Sequence, residues 1–410
     1  MPADALKCKE CSATYPAEAR YVCERCFGPL EVAYTAPHAD PEELRRRIQA
    51  GPRTLWRYSD FLPVDAPPRA SLPTGCTPLV RADRLAERLG LREVWVKNET
   101  ANPTHSFKDR VVSVALARAQ ELGFDTVACA STGNLAGAVA AHAAFAGLPA
   151  YVLVPSDLEE EKILSAGAYG ATIVGVRGNY DQVNRLCTEV SGEHESWAFV
   201  NVNVRPYYAE GSKTLAYEIA EDLGWVTPDR IVAPIASGSL YTKVARGFQE
   251  FLDAGLITGA VPIMNGAQAE GCSPVAQAYA AGTDVCRPVK PDTIAKSLAI
   301  GNPADGPYAV ELANRSGGSI DAVTDDEIRA GVRLLAETTG IFTETAGGVT
   351  TAVLSKLAER GDVDPGERVV LLITGDGLKT LDTVRGSFAV TEIEPSLDAF
   401  EEAVPAALAA

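Results

Sequence analysis

From residue 94 to residue 264, short apolar runs alternate with amphipathic stretches, and this alternation limits the chain to a small set of folds. Strands are predicted over 94–96, 126–130, 150–154, 172–176, 198–202, 231–235 and 261–264, with one more over 369–373. Between them, apolar residues at helical spacing predict helices over 109–122, 134–146, 157–166, 179–191, 211–223 and 241–253. In the last two, Leu215, Ile219 and Leu223, then Val244, Phe248 and Leu252, share a face. Thr324 and Glu327 have capping-box spacing and open a further helix with Ile328, Val332 and Leu335 inward. Strands that alternate with helices pair in parallel and are covered on both faces. The expected class is therefore α/β, with open, mostly parallel, twisted sheets.

In such sheets ligands bind beyond the carboxyl ends of the strands, so the residues directly after each strand matter most. After 94–96 the chain reads Asn102-Pro103-Thr104-His105-Ser106-Phe107-Lys108-Asp109-Arg110, and Lys108 stands where a turn becomes a helix. The positive end of a helix dipole disfavours an ammonium there, and so favours the free amine that attacks a carbonyl. After 126–130 comes Ser131-Thr132-Gly133-Asn134, small donors at a helix start and suited to a carboxylate or phosphate. After 231–235 comes Ala236-Ser237-Gly238-Ser239, where a phosphate can approach the backbone closely. After 369–373, Thr374 offers a neutral hydroxyl to a heteroaromatic nitrogen. The end of 198–202 brings Asn203 and Arg205, amide and guanidinium donors suited to a phosphate monoester. Taken singly, each is an ordinary turn, a surface lysine or a structural arginine. Together they are the equipment for pyridoxal 5'-phosphate: a lysine for the aldehyde, a cradle for its phosphate, partners for ring oxygen and nitrogen, and a second cradle for a substrate carboxylate. No Walker loop or dinucleotide-binding glycine fingerprint follows any strand.

Nine cysteines are present, four of them as Cys8-x-x-Cys11 and Cys23-x-x-Cys26. Two such pairs suit a tetrahedral Zn2+, closed and therefore structural; an iron–sulfur cluster or four plain thiols are the alternatives. The other five read as small buried hydrophobes. Of the histidines, only His105 lies in a site context; His38, His142 and His194 read as bland. The net charge of −17 argues against nucleic acid and anionic membranes as partners. With no apolar leader or membrane-length run in view, the expected location is cytoplasmic.

The lysine motif, Ser131–Asn134 and Thr374-Gly375-x-Gly377-Leu378-Lys379 resemble those of the threonine synthases, within the fold type II, tryptophan-synthase-β-like group of pyridoxal-phosphate enzymes. Pro291–Ala295, Ile300–Pro303 and Gly340-Ile341-Phe342-x-Glu344 add to the likeness, and some members carry a similar cysteine ribbon. The resemblance implies that Lys108 holds the cofactor and shuttles protons. Asn134 would bond the ring oxygen, Ala236, Ser237, Gly238 and Ser239 the cofactor phosphate, and Thr374 the pyridine nitrogen. Ser131 and Thr132 would take the substrate carboxylate. The implied reaction converts O-phospho-L-homoserine and water to L-threonine and phosphate. A relative acting on another phosphorylated amino acid, such as a cysteate synthase, or a threonine or serine dehydratase, would keep the same cofactor residues. His105 stands where a glycine is common in the relatives. The expected division is a zinc ribbon over 1–35, a large cofactor-binding domain over 36–110 and 204–390, a smaller α/β domain over 111–203, and a tail over 391–410. The expected partner is a small phosphorylated amino acid; a homodimer is carried as an open expectation.

Overall fold

The computed structural model describes residues 3–35, 40–131, 133–156, 160–178 and 180–408. Thr132 and His38, both weighed above, lie outside the described residues. In chain order the strands are β1 (Ala3–Cys8), β2 (Thr14–Tyr15), β3 (Leu30–Tyr34), β4 (Leu79–Arg81), β5 (Glu93–Asn98), β6 (Thr126–Ala130), β7 (Ala150–Pro155), β8 (Thr172–Val176), β9 (Trp197–Phe199), β10 (Arg230–Pro234), β11 (Ile263–Ala269), β12 (Ile320–Val323) and β13 (Arg368–Ile373). They form three sheets. A six-stranded sheet runs β12-β11-β10-β13-β5-β4, parallel except for the edge strand β4. A four-stranded sheet, β8-β7-β6-β9, is wholly parallel. The third, β2-β1-β3, is antiparallel and lies in the cysteine-bearing segment.

Successive side chains of a strand point to opposite faces, and both faces of the parallel sheets are packed. On β10 and β13, Ile231, Ala233, Val370 and Leu372 enter one core, while Val232, Val369, Leu371 and Ile373 enter the other. In the smaller sheet, Val127, Cys129 and Val152 face one layer, and Ala128, Ala130 and Leu153 the opposite one. The thirteen-residue helix Asn134–Ala146 and the fourteen-residue helix Lys108–Glu121 pack together on the first of those layers.

Two strands end three or more residues away from the ends expected from sequence. The run over 198–202 ends at Phe199, because the Asn203 side chain accepts from the Phe199 N–H (2.8 Å) and donates to the Trp197 carbonyl (3.0 Å), curling the chain away. β11 runs on to Ala269, beyond the expected 264. Its Gly266 hides the strand pattern, yet a Cβ there would lie 2.3 Å from the Ile235 side chain, so the small residue lets neighbours pack across it. The capping box at Thr324 forms as expected, with Asp325–Thr339 as its helix. Among the described residues, no helix is long and apolar enough to cross a membrane.

Candidate active site and cysteine ribbon

β5 and β13 are neighbours, so the loops that leave their carboxyl ends run side by side. The Phe107 N–H donates to the Thr374 carbonyl (3.0 Å), and the Asp376 N–H to the His105 carbonyl (3.1 Å). Ser106 bridges Gly375 between them. This pairing sets Lys108, the first residue of its helix, next to buried Thr374. His105 sustains the turn at φ +59°, in the left-handed region that favours glycine.

Lys108 Nζ is 2.9 Å from the hydroxyl of Tyr208 and lies 4.5 Å from the Phe107 ring centroid. Its neighbour Asp109 is fully buried and accepts from the Thr104 N–H (2.8 Å) and hydroxyl, and meets His142 Nε2 at 2.9 Å. His142 thus sits in the helix as read from sequence, but it braces the residue beside the lysine. Arg110 is locked between two buried carboxylates, Glu99 (2.5 and 2.8 Å) and Glu218 (2.6 and 2.7 Å).

Asn134 opens its helix and donates to both oxygens of Glu344 (3.1 and 2.9 Å), while its own oxygen accepts from Lys379 (2.9 Å). Burial pushes the Glu344 carboxyl up, outweighing the amide of Asn134 and the charges of Lys379 and Lys108. The Glu344 N–H donates to the Gly375 carbonyl, and a Cβ on Gly375 would lie 2.4 Å from the carboxylate. Asn134, Glu344, Thr374 and Lys108 therefore form one continuous wall.

The loop after β10 leads into the fifteen-residue helix Ser239–Asp253. Gly238, at φ +96°, lies so close to the backbone of Asp305 that a Cβ would meet its carbonyl at 2.7 Å. The Asp305 N–H donates to the Ser237 carbonyl (2.8 Å), and its carboxylate takes the Arg205 guanidinium (2.8 Å). Arg205 begins the short helix Arg205–Glu210 that also carries Tyr208. Ser131, at the end of β6, accepts from the N–H groups of Gly133 (3.3 Å) and Ala136 (3.1 Å), so its hydroxyl caps the Asn134 helix. Asn203 shapes the turn after β9, as described above.

Sequence reasoning left Tyr208 and Glu344 without roles. Glu344 stands in a motif already quoted and Tyr208 lies three residues after Arg205, but their partners lie 210 and 100 residues away, and no local pattern reports such pairings.

In the ribbon the four sulfurs lie within 4.8 Å of one another, with Cys8–Cys26 and Cys11–Cys23 at 3.5 Å. A tetrahedral site with metal–sulfur bonds near 2.3 Å implies sulfur separations of about 3.8 Å, so the cluster has the right size. The knuckles match: the Ser12 N–H donates to the Cys8 carbonyl and the Phe27 N–H to the Cys23 carbonyl, and Ser12 and Phe27 both adopt positive φ. Burial raises the Cys23 thiol, but the Tyr15 hydroxyl and the N–H groups of Cys26 and Arg25 outweigh it and hold it near 6. Cys26 stands at about 12, pushed up by its sulfur neighbours against the N–H of Gly28.

Residues 70–375 match the family described as pyridoxal-phosphate dependent enzymes. The chain is 38% identical over 405 residues to a threonine synthase of Methanosarcina acetivorans, covering 97% of this chain and 98% of that one. It is 39% identical over 393 residues to a threonine synthase of Methanocaldococcus jannaschii, covering 95% and 96%. Among solved structures, maize serine racemase superposes with a TM-score of 0.64 at 21% identity, covering 86% of this chain and 97% of that one. An L-serine ammonia-lyase from Rhizomucor miehei gives 0.65 at 22%, covering 78% and 100%. These two share the fold.

Proposed function

We infer the function from family, since the chain belongs to the pyridoxal-phosphate dependent enzymes and, among them, to the threonine synthases. It is a carbon–oxygen lyase that converts O-phospho-L-homoserine and water to L-threonine and phosphate. The observation that carries the reading to particular residues is Lys108, which starts a helix at the strand ends beside Thr374 and under Tyr208.

The residues fit the cofactor. The Ser106 hydroxyl and the Asn201 side-chain oxygen are buried without hydrogen-bond partners among the described residues, and the strand ends offer an amine, a hydroxyl and a glycine-opened helix start. Lys108 would hold the aldehyde, Asn134 the ring oxygen, Thr374 the pyridine nitrogen, and Ala236 to Ser239 the phosphate. The bound cofactor supplies the electron sink that lets a proton leave carbon. Lys108 is the base that takes and returns that proton. Glu344 holds the Asn134 amide in place through two hydrogen bonds. The N–H groups at the start of the Asn134 helix are offered to the substrate carboxylate, with Ser131 fixing their direction. Arg205 keeps donors beyond the one spent on Asp305, and these serve the substrate phosphate; Asn203 acts through the turn it shapes. The four cysteines hold a structural Zn2+.

The purified holoenzyme should release phosphate and form threonine from phosphohomoserine, and show no sulfonate product from phosphoserine with sulfite. The reverse preference would reassign the substrate. Lys108→Ala should lose the visible cofactor absorption and all turnover; a retained band would remove Lys108 from its role.

A further inference from the structure

The helix Arg205–Glu210 continues through the turn Gly211–Lys213 into the helix Thr214–Asp222, and its first turns present Tyr208 to Lys108 at 2.9 Å. Much of what holds this leading end against the lysine belongs to the cysteine ribbon. The Tyr34 hydroxyl, at the end of β3, donates to Glu210 (2.6 Å), and the Tyr207 hydroxyl donates to the Glu18 carbonyl (2.9 Å). Lys9 and Glu10 are the two residues between Cys8 and Cys11. Lys9 lies 3.3 Å from the Tyr308 ring centroid and 3.7 Å from Asp305, the carboxylate that also takes Arg205. The Tyr308 hydroxyl donates to Glu10. The first knuckle is therefore tied to the carboxylate at the head of the helix, and β3 to the carboxylate at its tail.

We propose that the ribbon, when its four thiolates hold a metal, is a clamp that seats the helix Arg205–Glu210 so that the Tyr208 hydroxyl meets Lys108 Nζ. The proposal rests on reading the four cysteines as a metal site. Its chemical consequence follows from the lysine's work as a base. When the amine takes a proton from a substrate carbon, a C–H bond breaks, an N–H bond forms, and the nitrogen becomes an ammonium that needs an acceptor at a fixed place. Tyr208 Oη, which accepts from Nζ in this geometry, is that acceptor. The ribbon residues are positioning residues: they act on the rate of proton transfer through Tyr208, and leave cofactor retention to the loops around Lys108.

The test uses the holoenzyme. Metal is stripped with a chelator and quantified, and Tyr34→Phe and Lys9→Ala are prepared in parallel with Tyr208→Phe. Stripping, or Tyr34→Phe, should lower kcat about tenfold, the worth of one ordinary hydrogen bond. KM and the visible cofactor band should stay nearly unchanged, and the isotope effect on kcat with α-deuterated phosphohomoserine should rise. In the Tyr208→Phe background the same treatments should produce no further fall. The clamp is overturned if kcat and the isotope effect do not respond, if kcat falls equally in the Tyr208→Phe background, or if stripping releases the cofactor. If no metal is found in the holoenzyme, the metal reading fails and the proposal with it, whereas a clamp without metal would still show in Tyr34→Phe.

Discussion

A positive φ is costly for any side chain with a Cβ, and His105 accepts that cost three residues before the lysine. The left-handed conformation costs an L-residue roughly 1–2 kcal/mol. What it secures is the pairing of the His105 carbonyl with the Asp376 N–H, and so the approach of the lysine loop to Thr374. The exposed His105 side chain meets the Thr100 carbonyl through Nδ1 at 3.2 Å. His105→Gly should therefore be neutral or stabilising by a few tenths of a kcal/mol, with turnover kept, while His105→Val should destabilise by about 1–2 kcal/mol. Urea unfolding of the two variants checks this; equal stabilities would mean that the turn relaxes and the strain is not held.

At the scale of elements, buried charge decides how the helices near the site are fixed. Glu210 ends the Tyr208 helix, where Lys213 (2.6 Å) and Lys243 (2.5 Å) converge on it. Burial alone would raise its carboxyl; the two ammoniums outweigh burial and hold it at about 2. The folded-state value lies below the unfolded one of about 4.3, so the stability is fully present above that pH and is lost as pH falls toward 2. The contribution is at most about 3 kcal/mol. Glu210→Gln should cost part of this at pH 7 and flatten the acid limb of a stability profile between about pH 4 and 2. Arg110 makes the matching case at the lysine helix: Arg110→Ala leaves buried Glu99 without its cation and Glu218 with Lys97 alone, a loss of about 3–5 kcal/mol visible in thermal unfolding. These networks were not legible in the sequence, because Arg110 and Glu218 are 108 residues apart and carry no periodic signal. The strands of β-branched residues were legible, as were the capping box and the strand-end places of the loops that carry Lys108, Asn134 and Thr374, since each is written in adjacent residues. β4 and β12 have three and four residues and fall below what a period of two can register. Asn203 had the right chemistry for a ligand, but its geometry could be known only with β9 in place.

For the whole molecule, the ribbon's apolar residues do not close a core of their own. Leu6, Leu30 and Val32 join the cluster formed by Val111, Val112, Ala115, Leu116 and Tyr207, on the face of the lysine helix that the smaller sheet also shares. The ribbon is thus part of the cover over that layer, although its two Cys-x-x-Cys pairs read in sequence as a self-contained unit. Removing residues 1–35 should uncover apolar surface. Burial of a Leu or Val side chain is worth roughly 1.5–3 kcal/mol, so losing even these three contacts should lower stability by several kcal/mol. The truncated chain should therefore bind a hydrophobic dye and unfold at a clearly lower temperature than the full chain. A Cys8→Ser, Cys23→Ser variant, which keeps the apolar residues, should lose metal and fall between the two. If truncation left the melting temperature unchanged and dye binding at the level of the full chain, the ribbon would be an appended unit, and the continuity of its core with the lysine helix would carry no energetic weight.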